Sequence, residues 1–293
     1  EPAMSGQDVR LTILHTSDVH SRLLPYHFEP TYTDTDVLGL PEANPCPNYT
    51  EPKPDYCDEN DYIYGGIARI SAILSEERDR AHRVLHLDSG DSFQGALVFN
   101  EFDGEAEVRL MTEVGLDAAV VANHEFDKGF EFLTDVATPR YGAGDAAEGA
   151  RYSLGANVYA RGTEDPVLEE YDIEDIDGVR IAFIGTVTPD TAVMVSPDGI
   201  ADIEFGDQLE AANRVAAEIT AGDLADVIVL LTHDGAATDS CEALTSEDTD
   251  YAELVAGASD DIDAIASGHT HQEYACMLPT PGGGERPVIQ ALA

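Results

Sequence analysis

The sequence predicts an α/β fold built around a largely parallel sheet. Short apolar runs of strand character alternate along the chain with stretches whose apolar residues recur at helical spacing. A strongly polar cluster follows almost every apolar run, and the loops at the carboxyl edge of a parallel sheet are where such folds place their ligands. No stretch approaches the roughly 20 apolar residues needed to span a bilayer.

The spacing of apolar residues predicts the strands and the helices along the chain. Apolar runs bounded by polar turns predict strands at 10–16, 84–91, 117–123, Tyr152–Ala156, Val179–Val187, Val227–Leu231, Ile262–Ala266 and Pro287–Gln290. Helical spacing predicts helices at 67–81, Asp103–Val114, Glu131–Ala137 and Asp207–Thr220. Residues 29–64 fit neither pattern because they are acidic, aperiodic and rich in proline, so we predict a surface insertion there.

The charge balance argues against several classes of function. The 293 residues include 15 Lys and Arg against 58 Asp and Glu, which gives a formal net charge of −43. Such a chain has no basic face to bind nucleic acid or an anionic membrane surface. The 43% of hydrophobic residues argue against disorder. We interpret the acidic surface as that of a halophilic protein. At 1 M salt the screening length is about 3 Å, which makes the repulsion between the acidic side chains tolerable.

The four cysteines favour an oxidising compartment. Cys46 and Cys57 bracket the proline-rich segment PCPNYTEPKPDYC, which a disulfide would close. We predict the pairs Cys46–Cys57 and Cys241–Cys276, with four free thiols as the alternative. The polar start of the chain, Glu1 to Asp8, lacks the apolar core of a signal peptide. We therefore expect a mature exported protein, extracellular or at the cell surface, with a cytoplasmic protein as the alternative.

Polar motifs that follow the predicted strands supply candidate metal ligands. Asp18 and His20 follow the first strand, and side chains two residues apart on an extended chain point to the same side, so both can reach one ion. Gly90 permits a tight turn before Asp91, whose carboxylate can serve two cations. Each motif alone also fits an ordinary turn or a capping residue, so the metal site is predicted from their joint occurrence.

The later motifs add an amide oxygen and imidazoles. Asn123 precedes His124, an imidazole that Asp127 can hold for proton transfer. Another His closes the apolar run VIVLLTH, and two more close the segment GHTH. The set contains oxygen and nitrogen ligands without a thiolate, which favours Mn²⁺, Zn²⁺, Co²⁺ or Fe and two ions rather than one. These candidate ligands are Asp18, His20, Asp91, Asn123, His233, His269 and His271.

In their order along the chain, these motifs resemble those of the calcineurin-like metallophosphatases. The segments LTILHTSDVHSRLLP, GDSFQG, NHEFDKG, LLTHDG and SGHTHQ are similar to the 5′-nucleotidase branch, over about residues 10–290. The resemblance implies a four-layer α/β/β/α sandwich, with one catalytic domain over residues 1–293. It also implies hydrolysis of a nucleotide or another small phosphoester, with His124 as the acid and Asp127 orienting it.

The resemblance further implies a role for each ligand. One ion would be held by Asp18, His20 and His271, the other by Asn123, His233 and His269, and Asp91 would bridge them. Ala122 departs from the family pattern, which usually has glycine before the asparagine, and we expect the C-terminal substrate-binding domain of the relatives to be absent from this chain. The open alternatives are a 2′,3′-cyclic nucleotide phosphodiesterase or 3′-nucleotidase, a nucleotide-sugar diphosphatase, a thiosulfohydrolase and a non-catalytic metal-binding domain. The oligomeric state stays open.

Overall fold

The computed structural model describes residues 10–24, 26–28, 62–64, 66–81 and 83–292. The chain divides into two compact units, one formed by Glu1–Ser21 with Glu77–Ala293 and the other by Arg22–Glu76. The strands are β1 (Thr12–Thr16), β2 (Tyr26–Phe28), β3 (Tyr62–Tyr64), β4 (Val84–Asp88), β5 (Ala118–Ala119), β6 (Val158–Ala160), β7 (Tyr171–Ile176), β8 (Val179–Val187), β9 (Ile203–Phe205), β10 (Val227–His233), β11 (Ala264–Ser267), β12 (Tyr274–Pro279) and β13 (Glu285–Gln290).

Apart from the first helix, the helices lie in the first unit. The helices are α1 (Ile67–Arg80), α2 (Leu97–Phe102), α3 (Glu105–Glu113), α4 (Phe130–Phe132), α5 (Thr138–Tyr141), α6 (Ala146–Gly149), α7 (Thr191–Met194), α8 (Gln208–Ala221) and α9 (Asp250–Gly257). A π-helical turn, Leu133–Ala137, joins α4 to α5. Side chains cap the two longest helices of the segment after β8, since Asp207 accepts from Glu210 N and Thr249 accepts from Ala252 N.

Two sheets of the first unit are mainly parallel, as predicted. One sheet has three parallel strands in the order β1–β4–β5, and the other has six strands in the order β12–β13–β11–β10–β8–β7. In the larger sheet β8, β10, β11 and β13 run parallel, whereas β7 and β12 pair antiparallel at its edges. The second unit contains the antiparallel pair β2–β3 and most of α1.

Apolar side chains on opposite faces of the strands define four layers. Leu87 of β4 and Phe183 of β8 belong to the cluster between the two sheets. The neighbouring Ile184 points to the other face and packs with Val215 of α8. Val121, directly after β5, belongs to a third cluster together with α2, α3 and α4. Because neighbouring residues of a strand face opposite sides, the layers are helix, sheet, sheet and helix, which confirms the predicted fold class.

The predicted strand Tyr152–Ala156 is wrong. In this segment Leu154 N donates to Ala119 O at 3.1 Å, whereas Ala156 N donates to Gly185 O at 2.7 Å. The segment therefore bonds first to the smaller sheet and then to the larger one, so its backbone cannot extend a single ladder. Strand β6 begins only after it. The sequence patterns also led to no prediction for β7, β12 or α9.

A disulfide joins Cys241 to Cys276, as predicted. It connects the loop after β10 to strand β12. The other predicted pair, Cys46–Cys57, lies outside the described residues, as does the predicted insertion at 29–64 apart from β3. None of the helices in the described ranges has the length and apolar composition needed to cross a bilayer.

Candidate active site

The carboxyl ends of the parallel strands bring all the predicted site residues together. The loops after β1, β4 and β5, the end of β10 and the loop after β11 meet at one edge of the first unit. Groups of side chains there have ligand atoms within 4.8 Å of one another, close enough to hold a metal ion. The residues at these strand ends are Asp18, His20, Asp91, Asn123, His233, His269 and His271.

The first group of candidate ligands joins the loop after β1 to the loop after β11. His20 Nε2 lies 2.9 Å from His271 Nε2. Asp18 Oδ1 lies 3.4 Å from His271 Nε2 and 3.9 Å from His20 Nε2. These three atoms surround one point, as ligands of a single ion do.

The second group joins the loop after β5 to β10 and to the loop after β11. His233 Nε2 lies 3.1 Å from Asn123 Oδ1 and 3.2 Å from His269 Nδ1. Asp91 Oδ2 lies 3.2 Å from His233 Nε2 and 3.8 Å from His20 Nε2, so its carboxylate stands between the two groups. The two histidines of the GHTH segment therefore contribute to different groups.

The chemistry of the cluster fits divalent cations. Imidazole nitrogens about 3 Å apart are neighbours on a coordination shell whose metal–nitrogen bonds are roughly 2.0–2.1 Å. Asp18 and Asp91 are 0% and 2% exposed. Within the described ranges their ion-pair partners are histidines only. Buried carboxylates need compensating positive charge, which oxygen- and nitrogen-coordinated cations would supply.

The site residues adopt a strained backbone. Five of them have positive φ angles, a conformation that disfavours residues with a side chain and is common at functional sites: Asp18 (54°), His20 (50°), Asp91 (53°), His269 (73°) and His271 (54°). The chain is therefore not extended at these turns, contrary to the prediction for Asp18 and His20, although both side chains still reach the same group.

The departure from the family pattern at Ala122 is accommodated at Gly90. Ala122 is fully buried. A Cβ added to Gly90 would lie 2.6 Å from the Ala122 methyl, and Gly90 has a φ of +87°. The methyl therefore fits because Gly90 has no side chain.

His124 and Asp127 form a hydrogen-bonded pair beside the two groups. A 3₁₀ turn, His124–Phe126, places both residues on one face, and His124 Nδ1 lies 2.7 Å from Asp127 Oδ2. This hydrogen bond raises the pKa of His124 against the opposing effect of burial. The ring of His124 stands nearly perpendicular to that of His20, with 5.3 Å between the centroids. The imidazole is therefore oriented at the edge of the site and remains partly exposed.

Glu125 connects two of the site loops, a role that the sequence did not indicate. Its carboxylate accepts the backbone N–H groups of Asp91 (3.1 Å), Ser92 (3.1 Å) and Ala122 (2.9 Å). Burial raises the pKa of Glu125 to about 8. The sequence carries no signal for this role because two of the partners, Asp91 and Ser92, are 34 and 33 residues away from Glu125. The clamp holds the loop of Asp91 against the loop of Asn123.

Asp88 forms a similar clamp between the loop after β4 and the end of β1. Its Oδ1 accepts from Gly90 N at 2.9 Å and from Ser92 Oγ at 3.2 Å, and its Oδ2 accepts from Thr16 Oγ1 at 2.6 Å. Burial raises the pKa of Asp88 to about 7. This carboxylate shapes the turn before Asp91 and does not belong to either ligand group.

A family profile for calcineurin-like phosphoesterases matches residues 11–273. The chain belongs to this family. The family membership predicted from the motifs is thereby confirmed, and as a calcineurin-like phosphoesterase the protein is an enzyme of phosphoester chemistry. The cluster at the sheet edge is its candidate metal centre.

This calcineurin-like phosphoesterase is similar to several characterised proteins. It is 34% identical to the endonuclease YhcR of Bacillus subtilis over 220 residues, which are 72% of this chain and 17% of that protein. It is 29% identical to the snake venom 5′-nucleotidase of Crotalus adamanteus over 311 residues, covering 99% of this chain and 44% of that protein. The crystal structure of a 5′-nucleotidase precursor from Thermus thermophilus matches with a TM-score of 0.69 and 26% identity, covering 96% of this chain and 48% of that chain. This chain thus spans less than half the length of these relatives.

Replacing Glu125 tests the loop clamp of this phosphoesterase. In Glu125→Gln an NH₂ group faces backbone N–H donors, so we expect the free energy of unfolding to fall by roughly 2–3 kcal/mol. Denaturant unfolding of the purified protein measures this. The control Glu131→Gln alters an exposed glutamate of α4 and should change the free energy by less than about 0.5 kcal/mol. Equal stability of the two variants would contradict the clamp.

Proposed function

We propose that this chain is the catalytic part of a 5′-nucleotidase, which releases phosphate from nucleoside 5′-monophosphates. The observation that supports catalysis most directly is the hydrogen bond of 2.7 Å between His124 Nδ1 and Asp127 Oδ2 beside the ligand groups. Neither side chain belongs to the two proposed ligand groups, and a hydrogen-bonded pair beside them favours an enzyme over a non-catalytic metal-binding domain. The relatives named 5′-nucleotidase support the choice of substrate.

Two divalent cations are the proposed cofactors. One would be held by Asp18, His20 and His271 and the other by Asn123, His233 and His269, with Asp91 between them. The donor set suits Mn²⁺, Zn²⁺, Co²⁺ or Fe. When bound, such ions supply Lewis-acid stabilisation of phosphoryl charge and activate water for attack.

The ligands are oriented by their own hydrogen bonds. His233 Nδ1 lies 2.7 Å from Ser89 O, which fixes the ring so that Nε2 faces the site. Both oxygens of Asp18 accept the backbone N–H of His269, at 3.0 and 3.1 Å. The chain thus holds His233 and Asp18 in place before a metal binds.

His124 is the proposed general acid. Asp127 accepts the Nδ1 proton of its imidazole, which leaves Nε2 to carry a second proton toward the substrate. In the imidazolium form Nε2 protonates the alkoxide that departs from phosphorus. Asp127 favours this form, because its carboxylate stabilises the cation.

The remaining candidates share this site and differ in substrate. Cyclic nucleotides, 3′-nucleotides, nucleotide sugars and thiosulfate conjugates would meet the same ligands. An endonuclease is a further candidate because YhcR has that name. A net charge of −43 opposes the binding of a polyanion, so we propose a small substrate instead.

The proposed environment is oxidising and saline. The disulfide between Cys241 and Cys276 supports a location outside the cytoplasm. The net charge of −43 repels a nucleotide at low ionic strength, so salt should assist binding by screening.

A substrate panel tests the proposed function. Protein loaded with Mn²⁺ or Zn²⁺ is assayed for phosphate release from AMP, and for turnover of ADP, UDP-glucose, 3′-AMP, 2′,3′-cyclic AMP and single-stranded DNA, at low and at molar salt. We expect AMP to give the highest kcat/KM and molar salt to raise it. Preferential turnover of another substrate would replace the 5′-nucleotidase assignment with the matching alternative. Turnover of none would refute phosphoester hydrolysis and favour the thiosulfohydrolase or the non-catalytic metal-binding domain.

The acid role of His124 predicts a dependence on the leaving group. His124→Ala should lower kcat on AMP by roughly 10²–10⁴-fold, because the departing alkoxide needs a proton. The loss on p-nitrophenyl phosphate should be much smaller, since that leaving group departs without one. Metal content, measured by mass spectrometry, serves as the control and should equal that of the wild type. Equal losses on the two substrates would rule out the acid role.

A further inference from the structure

The loop between Asp91 and α2 presents one glutamine from a backbone that is fixed on both sides. Before it, Phe93 is 1% exposed and its N–H donates to Glu125 Oε1 at 3.4 Å. After it, a Cβ on Gly95 would lie 2.7 Å from His20 O, and Gly95 has a φ of +106°. Gln94 itself has a φ of 63°. The side chain of Gln94 therefore projects from a tightly held and strained turn, and the fixed backbone directs it.

The amide of Gln94 reaches the carboxylate that orients His124. Gln94 Nε2 donates to Asp127 Oδ2 at 3.1 Å. The other end of the amide, Oε1, accepts from Gly95 N at 3.3 Å, which turns the NH₂ group toward the carboxylate. His124 Nδ1 lies 2.7 Å from the same oxygen, Asp127 Oδ2. Gln94, Asp127 and His124 thus form one chain of hydrogen bonds.

We propose that Gln94 is a positioning residue for phosphoester hydrolysis, which holds the Asp127 carboxylate so that the imidazole of His124 keeps its orientation toward the substrate. This role rests on the proposed function, because it acts through the general acid. The proposed role of Gln94 does not involve either group of metal ligands.

The need for such a residue follows from the exposure of the pair. The side chain of Asp127 is 20% exposed and that of His124 is 32% exposed, so water competes for their hydrogen bonds. A single contact would leave the carboxylate free to rotate about its last bond. A second donor on the same oxygen restricts that rotation, and hydrogen bonds to a charged group are stronger than neutral ones.

The test compares two substrates in five variants. Gln94→Met keeps the length of the side chain without its donor, and Gln94→Glu replaces the donor by a negative charge that repels Asp127. Gln272→Met is the matched control, since Gln272 borders His271 and donates to Thr270 O rather than to Asp127. The fourth variant combines Gln94→Met with Asp127→Ala and is compared with Asp127→Ala alone. Each protein is assayed on AMP and on p-nitrophenyl phosphate.

The proposal predicts that the loss of kcat is larger for the substrate with the poorer leaving group, and that the loss depends on the presence of Asp127. Gln94→Met should lower kcat on AMP roughly tenfold and on p-nitrophenyl phosphate less than about threefold, with Gln94→Glu at least as impaired. In the Asp127→Ala background Gln94→Met should add less than about a twofold loss, because the path to His124 is already broken. Gln272→Met should leave the ratio of the two activities unchanged.

Three results would overturn the proposal. One is an equal loss on both substrates, and another is a full additional loss in the Asp127→Ala background; either would mean that Gln94 acts on the loop and not through the acid. The third is a crystal structure of Gln94→Met in which Asp127 and His124 keep the wild-type contact in a single conformer, whereas we expect the contact to lengthen or split. Failure of the wild type on both phosphates would instead refute the proposed function, and this role with it.

Discussion

Buried negative charge is the constraint on which the site depends. Four carboxyl groups lie at the sheet edge with 8% exposure or less: Asp18, Asp88, Asp91 and Glu125. Burial raises the pKa of Asp88 to about 7 and that of Glu125 to about 8, so the negative charge is concentrated on Asp18 and Asp91. In the part of the chain that the structure describes, the ion-pair partners of Asp18 and Asp91 are imidazoles and not Lys or Arg. Removing an ion from water has a penalty of several kcal/mol, so Asp18 and Asp91 need positive charge close by. The proposed cations, held by the two ligand groups, would add to the charge that the imidazoles supply.

The same carboxylates fix the backbone around them. Asp18 accepts the N–H of His269, Asp91 accepts the N–H of His124 at 3.0 Å, and Glu125 joins the two loops that carry Asp91 and Asn123. These bonds stabilise turns whose left-handed residues would otherwise be unfavourable. A site built in this way needs little reorganisation when substrate binds, which is the basis of electrostatic catalysis.

The sequence predicted the fold class, and it predicted which side chains the structure brings together at the sheet edge, because both depend on local patterns. Apolar runs mark the buried strands, and the polar motifs after them mark the shared edge of the sheets. Contacts between distant segments have no such signal. Glu125 and Gln94 find their partners about thirty residues away, and the segment 152–156 failed as a strand because its hydrogen bonds go to two different sheets. The argument that an extended chain points Asp18 and His20 to the same side also failed in detail, since both residues have left-handed backbone conformations, although their side chains reach the same group.

The account requires that two cations occupy the cluster and that Asp91 stands between them. The most direct test is the stoichiometry of Mn²⁺ or Zn²⁺ binding to the chelator-treated protein by titration calorimetry, for the wild type and for Asp91→Asn. The account predicts about two ions per wild-type chain, held by imidazole and carboxylate ligands, and at most about one tightly bound ion in Asp91→Asn. Two ions bound to Asp91→Asn with unchanged affinity, or no ion bound to the wild type, would contradict it.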